Sequence, residues 1–261
     1  DRDDPVQEMP DFDAIMLSRH YVARHYVDLA REHAPQARVL FDTVDLHYLR
    51  EQRAAKVEQS EALAKQAEAT RDAELDLIRR CDVTIVVSPV ELDLLSREAP
   101  GRRVEVLSNI HEVHGRRAGF DARNDLWFVG GFQHQPNVDA VQWFVAQIWP
   151  RVRAALPEVQ FHIVGSKCPP EVAALAGNGV VVHGFVEHIE PFLDGIRVAV
   201  APLRYGAGVK GKVNQSMAYG QPVVAATIAV EGMEIVAGSE ALVAAEPAEF
   251  AEEVVRLYQD P

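Results

Sequence analysis

Short apolar segments that alternate with helical segments constrain the fold of this chain more than any other feature of its sequence. The segments at 83–87 (VTIVV) and 197–201 (RVAVA) are apolar at most positions, without a polar residue at every second place. Continuous apolar strands separated by helices are typical of parallel sheets that helices cover on both faces. The sequence therefore predicts an α/β fold.

Turn and capping signals place the individual elements. Ser88 and Pro89 suit the N-cap and first position of a helix, Gly220 suits a helix end, and 47–80 is rich in helix formers without Pro or Gly. Strands are predicted at 12–18, 38–41, 83–87, 103–107, 126–129, 159–164, 179–182, 197–201, 222–225 and 242–244. Helices are predicted at 21–32, 47–80, 90–97, 137–156, 170–176, 211–219 and 247–258, with a helical turn at 186–193.

The alternating pattern occurs twice, and residues 108–124 between the two runs show no periodicity. At about 150 residues per domain, the 261 residues correspond to two domains. We predict a partial N-terminal Rossmann-like domain at 1–108, a linker at 109–124 and a C-terminal Rossmann-like domain at 125–261. The two domains would face each other across a cleft and bind ligands at the carboxyl ends of their strands.

Composition and charge exclude several classes of protein. No run approaches the roughly 18 apolar residues of a membrane span, and the N-terminal DRDDPVQEMPD lacks the basic and apolar regions of a signal peptide. Cys81 and Cys168 are too few and too far apart for a disulfide framework or a metal cluster. The net charge of −13 argues against a nucleic-acid partner. We expect a cytoplasmic protein, with association with the inner face of a membrane as a further possibility.

One glycine-rich loop between a strand and a helix carries residues suited to a diphosphate. Gly206, Gly208 and Gly211 permit close backbone approach, and the helix that follows offers its positive N-terminal end. Lys210 and Lys212 lie in the same segment. From the residues alone, a flexible loop with two solvated lysines is an equal alternative, and the Gly-Lys-Ser/Thr ending of a P-loop is absent.

The string GAGVKGKVNQSMAYGQPVVA at 206–225 resembles the donor-binding signature of glycosyltransferase family 4, the group 1 glycosyltransferases of GT-B fold. The resemblance extends over 83–258 and more loosely over 11–82. The other matching segments occur in the family's order, as WFVGG (127–131) followed by HQPN, QFHIVG (160–165), VHGFV (182–186) and VAVAPL (198–203).

The resemblance implies a retaining transfer of a sugar from a nucleotide-diphosphate sugar to a glycan or lipid-linked acceptor, in the biosynthesis of a bacterial surface polysaccharide. It implies no bound metal and no cofactor beyond the donor substrate. Lys210 and Lys212 would stabilise the charge that develops on the departing diphosphate, because cations aimed at that charge lower the barrier. Asp45 would act with them on the catalytic side.

Further residues are assigned by their place at strand ends. The acceptor side would include Asp42, His47 and Arg50, with helix capping by Asp45 as an alternative reading of that loop. For His183 and Glu231 a plain turn or an exposed loop residue is the alternative. The residues expected to bind the donor are Gly130, Gly131, His183, Phe185, Val186, Gly206, Gly208, Val209, Gly211, Gln215 and Glu231.

Departures from the family pattern leave a second function open. Ala207 and Gln215 stand where the family often has two glutamates, and Gln135 and Pro136 stand near the place of its basic residues. A degenerate, non-catalytic scaffold module is therefore the alternative; a nucleotide-sugar epimerase would need further carboxylates. Compared with a whole GT-B protein, several N-terminal elements are missing, so we expect a fragment or one module of a larger multidomain protein. The segment 47–80 would be a solvated helix, with a membrane or partner contact as the lesser alternative.

Overall fold

A computed structural model describes residues 12–260 of the chain. The first 11 residues, on which the signal-peptide argument rests, and Pro261 lie outside the described residues. Backbone contacts divide the chain into two compact units. The first contains the described residues up to Asn109 together with Gly206–Val209, and the second contains Ile110–Tyr205 and the residues from Lys210 onward. The predicted domain boundaries remain a prediction.

The first unit is built on a parallel sheet whose strands lie in the order β1-β2-β3-β4. Val39 and Phe41 of the second strand are buried in its core, together with Ile78 and Leu95 from the covering helices. The strands are β1 (Ala14–Ser18), β2 (Arg38–Asp42), β3 (Val83–Val86) and β4 (Val104–Val106), and the helices are α1 (His20–His33), α2 (His47–Glu58), α3 (Glu61–Arg80) and α4 (Pro89–Glu98).

The prediction of one helix over 47–80 was wrong, because the chain breaks into α2 and α3. Gln59 takes the left-handed conformation with φ of 51°, and Ser60 caps α3 by accepting a hydrogen bond from Leu63 N. No Gly or Pro marks the break, although a residue other than glycine adopts this conformation uncommonly. The break lets α3 pack back against the start of α2.

The second unit contains a parallel sheet in the order β10-β9-β8-β5-β6-β7. Counted from β5, this is the 3-2-1-4-5-6 order of nucleotide-binding doubly wound folds. Its strands are β5 (Asn124–Val129), β6 (Phe161–Val164), β7 (Val180–Gly184), β8 (Ile196–Ala201), β9 (Val223–Ala225) and β10 (Leu242–Val243). Its helices are α5 (Gln135–Trp143), α6 (Trp149–Ala155), α7 (Pro170–Ala173), α8 (Glu190–Gly195), α9 (Gly211–Ala218), α10 (Thr227–Val230) and α11 (Pro247–Gln259).

The predicted helix over 137–156 is present with an irregular centre. A π-helical segment, Phe144–Ile148, joins α5 to α6 just before Pro150. Because Pro150 has no N–H to donate to the preceding turn, a wider turn at this place costs little. Phe144 and Ile148 still face the core. None of the helices within residues 12–260 has the length and apolar character that crossing a membrane requires.

Glycines allow the backbone to approach closely at the carboxyl ends of β5, β6 and β7. Gly130 N donates to Val164 O at 3.0 Å, and Gly165 N donates to Gly184 O at 2.8 Å. A Cβ atom at Gly165 would lie 1.9 Å from the carbonyl oxygen of Gly130. Only glycine permits this approach, which fixes the backbone where β5 ends.

In the first unit, two buried glutamates hold the start of α2. Glu74 accepts from His47 N at 3.1 Å and Tyr48 N at 3.0 Å, and Glu91 accepts from Leu46 N at 3.1 Å. The first N–H groups of a helix have no partner within it and carry partial positive charge, so carboxylates stabilise them. The alternative reading of Asp45 as the helix cap was wrong. Leu46 occupies the N-cap position of α2, and its side chain makes no capping hydrogen bond.

We expect Gly165→Ala to lower the free energy of unfolding by about 1–3 kcal/mol, because the added methyl group overpacks against the Gly130 carbonyl. Urea denaturation measures the change. Gly119→Ala is the matched control, since a Cβ at Gly119 meets open space and the residue has an ordinary φ of −76°. Equal stability of the two variants would contradict the predicted clash.

We expect Glu74→Gln to remove part of the stability that is present at neutral pH. Burial alone would raise the pKa of Glu74, but the His20 and His47 rings and the two backbone N–H groups lower it to about 2. A carboxyl with a lowered folded-state pKa stabilises the fold above its unfolded value of about 4.5, and this contribution, on the order of 3 kcal/mol, is lost as the pH falls toward 2.

Urea titrations from pH 7 to pH 2.5 test this expectation. The difference in unfolding free energy between wild type and Glu74→Gln should shrink as the pH falls below about 4.5. Glu68→Gln, at an exposed position of the same helix, is the control and should leave the pH profile unchanged. A Glu74→Gln difference that stays constant over this range would show that the carboxylate is not stabilised by its neighbours.

Candidate functional site

The strand order of the second unit marks one place as the ligand site. The connections leave β5 toward β6 on one side and β8 toward β9 on the other, so the sheet order reverses between β5 and β8. In open α/β sheets, ligands bind outside the carboxyl ends of the strands at this reversal. The segments that lie there are the glycine loop after β5 and the start of α9, which follows β8.

Lys212 lies at this place with its ammonium turned toward the loop after β5. Its Nζ donates to Asn137 Oδ1 at 2.6 Å and lies 3.9 Å from the centroid of the Phe128 ring. The amide of Asn137 in turn donates to Gly131 O at 2.8 Å. A Cβ atom at Gly130 would lie 2.9 Å from the ammonium nitrogen. The structure thus brings two predicted donor-binding glycines, Gly130 and Gly131, and the predicted catalytic Lys212 together around Asn137.

The surroundings of Lys212 lower the pKa of its ammonium group. Burial lowers the pKa of the Lys212 ammonium to about 7, and the charge of neighbouring Lys210 lowers it further. The acceptor that Asn137 offers is a neutral amide, which supplies no countercharge. An anion bound beside Lys212 would stabilise the ammonium and raise its pKa.

The start of α9 adds to the same positive region. The helix begins at Gly211 directly after Lys210, whose extended backbone forms the N-cap without a side-chain hydrogen bond. The first turn contains no acidic residue. Partial positive charge at a helix N-terminus favours an anion, so Lys210, Lys212 and α9 act in the same direction.

The segment Gly206–Val209 packs within the first unit, beside the loop that follows β2. Gly206 and Gly208 have φ of 156° and 66°, which favour glycine. Arg53 Nη1 donates to Gly206 O at 2.7 Å, and a Cβ at Gly208 would lie 3.0 Å from Asp45 Cβ. Asn109 Nδ2 donates to Val209 O at 3.4 Å. Predicted donor-site glycines and Asp45 are therefore neighbours.

Asp45 is held between two basic side chains. Arg50 Nη1 donates to Asp45 Oδ2, and His47 Nδ1 lies 3.5 Å from Asp45 Oδ1. Burial would lower the pKa of His47, but Glu74 and Asp45 outweigh this and raise it. Asp42, predicted beside them, instead accepts from Ser18 Oγ at 2.9 Å and Val44 N at 3.1 Å, and so shapes the loop.

A group in the first unit has the spacing of metal ligands. Ligand atoms of His20, His47 and Glu74 lie within 4.8 Å of one another. However, His47 Nδ1 lies 3.0 Å from Asp45 O, which fits a donated N–H, and both Glu74 oxygens accept backbone N–H groups. A ring nitrogen that donates a hydrogen bond has no lone pair for a metal. We interpret the group as a polar network that fixes the start of α2.

The candidate base-binding segment follows β7. The His183 ring stacks on His162 at 5.1 Å, with 2.8 Å between His183 Nε2 and His162 Nδ1, and His162 Nε2 lies 3.2 Å from Asp125 Oδ2. The exposed His183 ring therefore pairs with His162 on the neighbouring strand β6. Phe185 is 74 % exposed and Val186 is half-buried.

The remaining predicted residues lie on segments at the carboxyl edge of the second sheet. Gln215 is half-buried on α9, one turn after Lys212. Glu231 is half-buried and directly follows α10, which begins after β9.

Sequence reasoning missed several residues that shape these sites. The signal for Asn137 was its position in the HQPN segment. This segment begins a helix, and an amide side chain in the first turn can face a neighbouring loop. Glu74 recurs at helical spacing with buried Ala67 and Ile78, which marks a carboxylate on an apolar face. The contacts of Phe128 with Lys212 and of Arg53 with Gly206 join residues distant in sequence and had no local signal.

Comparisons with known proteins place this arrangement in a family. The family model described as glycosyl transferases group 1 matches residues 123–260. A comparison with curated proteins gives no match.

Solved structures match over nearly the whole chain. Sucrose-phosphate synthase from Thermosynechococcus elongatus is 18 % identical with a TM-score of 0.74, over 95 % of this chain and 65 % of that one. The pneumococcal O-GlcNAc transferase GtfA, in complex with UDP and GlcNAc, is 13 % identical with a TM-score of 0.71, over 98 % and 52 %. The UDP-forming α,α-trehalose-phosphate synthase from Burkholderia xenovorans is 13 % identical with a TM-score of 0.69, over 98 % and 67 %.

These likenesses show the fold. The chain spans 65 % of the sucrose-phosphate synthase chain, which is less than two thirds of its length. The α/β architecture with two parallel sheets is that of the GT-B glycosyltransferase structures, as predicted. Because the family model covers more than half of the sequence and includes the Gly130 loop, β8 and the start of α9, the chain belongs to the group 1 glycosyltransferases.

Proposed function

We propose that the chain binds a nucleotide-diphosphate sugar and takes part in retaining transfer of its sugar to a glycan or lipid-linked acceptor, in the biosynthesis of a surface polysaccharide. The observation that carries the proposal is the Lys212 ammonium, held by Asn137 against Gly130 at the reversal of strand order. A half-desolvated cation at a glycine-lined strand end suits a pyrophosphate group.

The chemistry assigned to these residues concerns the leaving group. As the bond from the anomeric carbon to the diphosphate oxygen breaks, negative charge grows on the diphosphate. Lys210, Lys212 and the start of α9 stabilise that charge, and they are already in position before the reaction. Membership of the family supports a nucleotide donor, and the UDP in the GtfA structure makes UDP the first to test.

Asp45 is proposed to position a hydroxyl group. Arg50 Nη1 donates to its Oδ2 and His47 Nδ1 lies 3.5 Å from its Oδ1, which fixes the orientation of the carboxylate. We therefore assign it contact with a hydroxyl of the donor sugar or the acceptor. A lipid-linked acceptor would bring the protein to a membrane surface from the cytoplasmic side.

A degenerate scaffold remains the second candidate function. Ala207 is buried, and Gln215 carries no charge, so neither supplies the carboxylate that the family often has there. A scaffold of this kind would retain the fold and lose turnover. Release of free sugar from a nucleotide sugar distinguishes the two candidates, because an active transferase can hydrolyse its donor slowly without an acceptor and a scaffold that has lost turnover cannot.

We expect Lys210→Ala with Lys212→Ala to weaken UDP binding by about 2–3 kcal/mol, roughly 30- to 150-fold in Kd, because charge-assisted contacts with the diphosphate are lost. Calorimetric titration with UDP measures the change, and hydrolysis of a UDP-sugar should fall with it. Lys65→Ala, at an exposed position of α3, is the control. Unchanged affinity in the double variant would refute the role given to the lysines.

We also expect binding of UDP to take up protons near neutral pH. With a pKa of about 7, Lys212 is partly deprotonated in the free protein, and a bound diphosphate should restore its charge. Calorimetry at pH 7 in buffers of different ionisation enthalpy should report uptake of up to about 0.5 proton per UDP. Lys212→Met should abolish the uptake, and Lys65→Met should not. A binding enthalpy independent of the buffer would contradict the lowered pKa.

A further inference from the structure

A basic cavity lies in the second unit at the amino ends of the strands, whereas the lysines lie at their carboxyl ends. Its volume is about 390 Å³, within the range of small-molecule sites. The lining residues Arg123, Arg197 and Leu242 lie at the amino ends of β5, β8 and β10. Because β5 is six residues long, the cavity lies about 20 Å from the Gly130 loop at the other end of that strand.

The charge of this cavity contrasts with that of the whole chain. The net charge of the protein is −13. Among the described residues that line the cavity, four are arginines and one, Asp260, is acidic. The arginines are Arg116, Arg123, Arg197 and Arg256. A local excess of guanidinium groups on an acidic protein concentrates positive potential in one concave place.

Arg123 supplies a buried guanidinium that forms no ion pair with a carboxylate of the described residues. It is 2 % exposed, and its Nη1 and Nη2 donate to the neutral carbonyls of Gly220 at 3.0 Å and Tyr219 at 3.2 Å. Within the described residues its Nε is buried and has no hydrogen-bond partner. Burial lowers the pKa of Arg123; Asp194 acts against this, and nearby Arg116 adds to it. Bringing an anion close would offset the cost of this buried charge.

Arg197 presents a fixed guanidinium beside it. The group lies between the rings of Phe120 and Tyr258, with its Cζ 4.0 Å and 4.6 Å from their centroids. It also donates to Arg123 O at 2.8 Å and Tyr258 O at 3.1 Å. A guanidinium that is already ordered loses little conformational entropy when a ligand binds. Arg116 and Arg256 are exposed, and Arg256 Nη2 forms an ion pair with Glu253 Oε2 at 2.7 Å.

We propose that this arginine cavity is a binding site for a compact phosphorylated ligand, separate from the donor site. Phosphate oxygens match the planar donor pattern of guanidinium groups. The exposed Arg116 and Arg256 can present this pattern to a phosphate, whereas Arg123 and Arg197 already donate to backbone carbonyls and contribute mainly their charge. Phe120, Leu242 and Leu257 provide an apolar wall for the organic part of a phosphorylated small molecule. The cavity lies at the amino ends of the strands, whereas the proposed donor site lies at their carboxyl ends. A ligand bound in the cavity would therefore be sensed or retained there and would not take part in the transfer.

Titration with inorganic pyrophosphate tests the proposal. The protein used carries Lys210→Ala and Lys212→Ala, so that the proposed donor site does not contribute. We expect saturable one-to-one binding that Arg116→Gln with Arg256→Gln weakens by about tenfold or more. Both substituted residues are exposed, so the fold should persist. The control pair Arg79→Gln with Arg151→Gln, at exposed positions outside the cavity, makes the same change in net charge and should have less than about a twofold effect.

Amide hydrogen exchange locates the bound pyrophosphate independently. Protection should appear at residues 116–123, 219–222 and 256–260. The proposal is overturned if the lysine variant does not bind pyrophosphate, if both arginine pairs weaken binding equally, or if protection appears only after β5 and β8. The outcome is independent of sugar transfer, since binding here would persist in a protein that fails every donor assay.

Discussion

The close approach of the strand ends of β5 and β6 is the constraint on which the rest of the second unit depends. Gly165 packs against the Gly130 carbonyl at a distance that excludes any side chain. This contact fixes the loop after β5, and Asn137 then joins that loop to Lys212. The ammonium on α9 is therefore placed by backbone packing of the neighbouring strands, before any ligand is present.

Two basic regions of the second unit differ in how they hold their charge. Lys212 sits on an aromatic face and a neutral amide and has its pKa lowered to about 7, so its charge responds to what binds. Burial lowers the pKa of the Arg123 guanidinium, but an arginine side chain stays protonated in proteins, so Arg123 keeps its charge at the cost of burial. A lysine thus suits a site where charge develops and departs during a reaction, and arginines suit a site that retains an anion.

The sequence predicted the fold class, the family and most of the strands, because apolar continuity and glycine punctuation are local signals. It did not predict the break at Gln59, since no Gly or Pro is needed for one left-handed residue. The family motifs in the sequence placed Gly130, Gly131 and Lys212 in one site. Their contact through Asn137 could not be predicted, because it depends on the order of the strands in the sheet. The arginine cavity escaped notice because Arg123, Arg197 and Arg256 are separated in sequence and converge only when β5, β8 and α11 pack together.

The N-terminal ends of α2 and α9 differ in whether an anion can bind to them. The N–H groups of Leu46, His47 and Tyr48 are occupied by Glu91 and Glu74, so the positive end of α2 is already neutralised inside the protein. The start of α9 has no acid in its first turn and two lysines beside it. The diphosphate of the proposed donor would therefore be favoured at α9 and not at α2. Beside the start of α2, Asp45 and His47 are held by contacts with Arg50 and Glu74, and the role proposed for Asp45 is contact with a hydroxyl group.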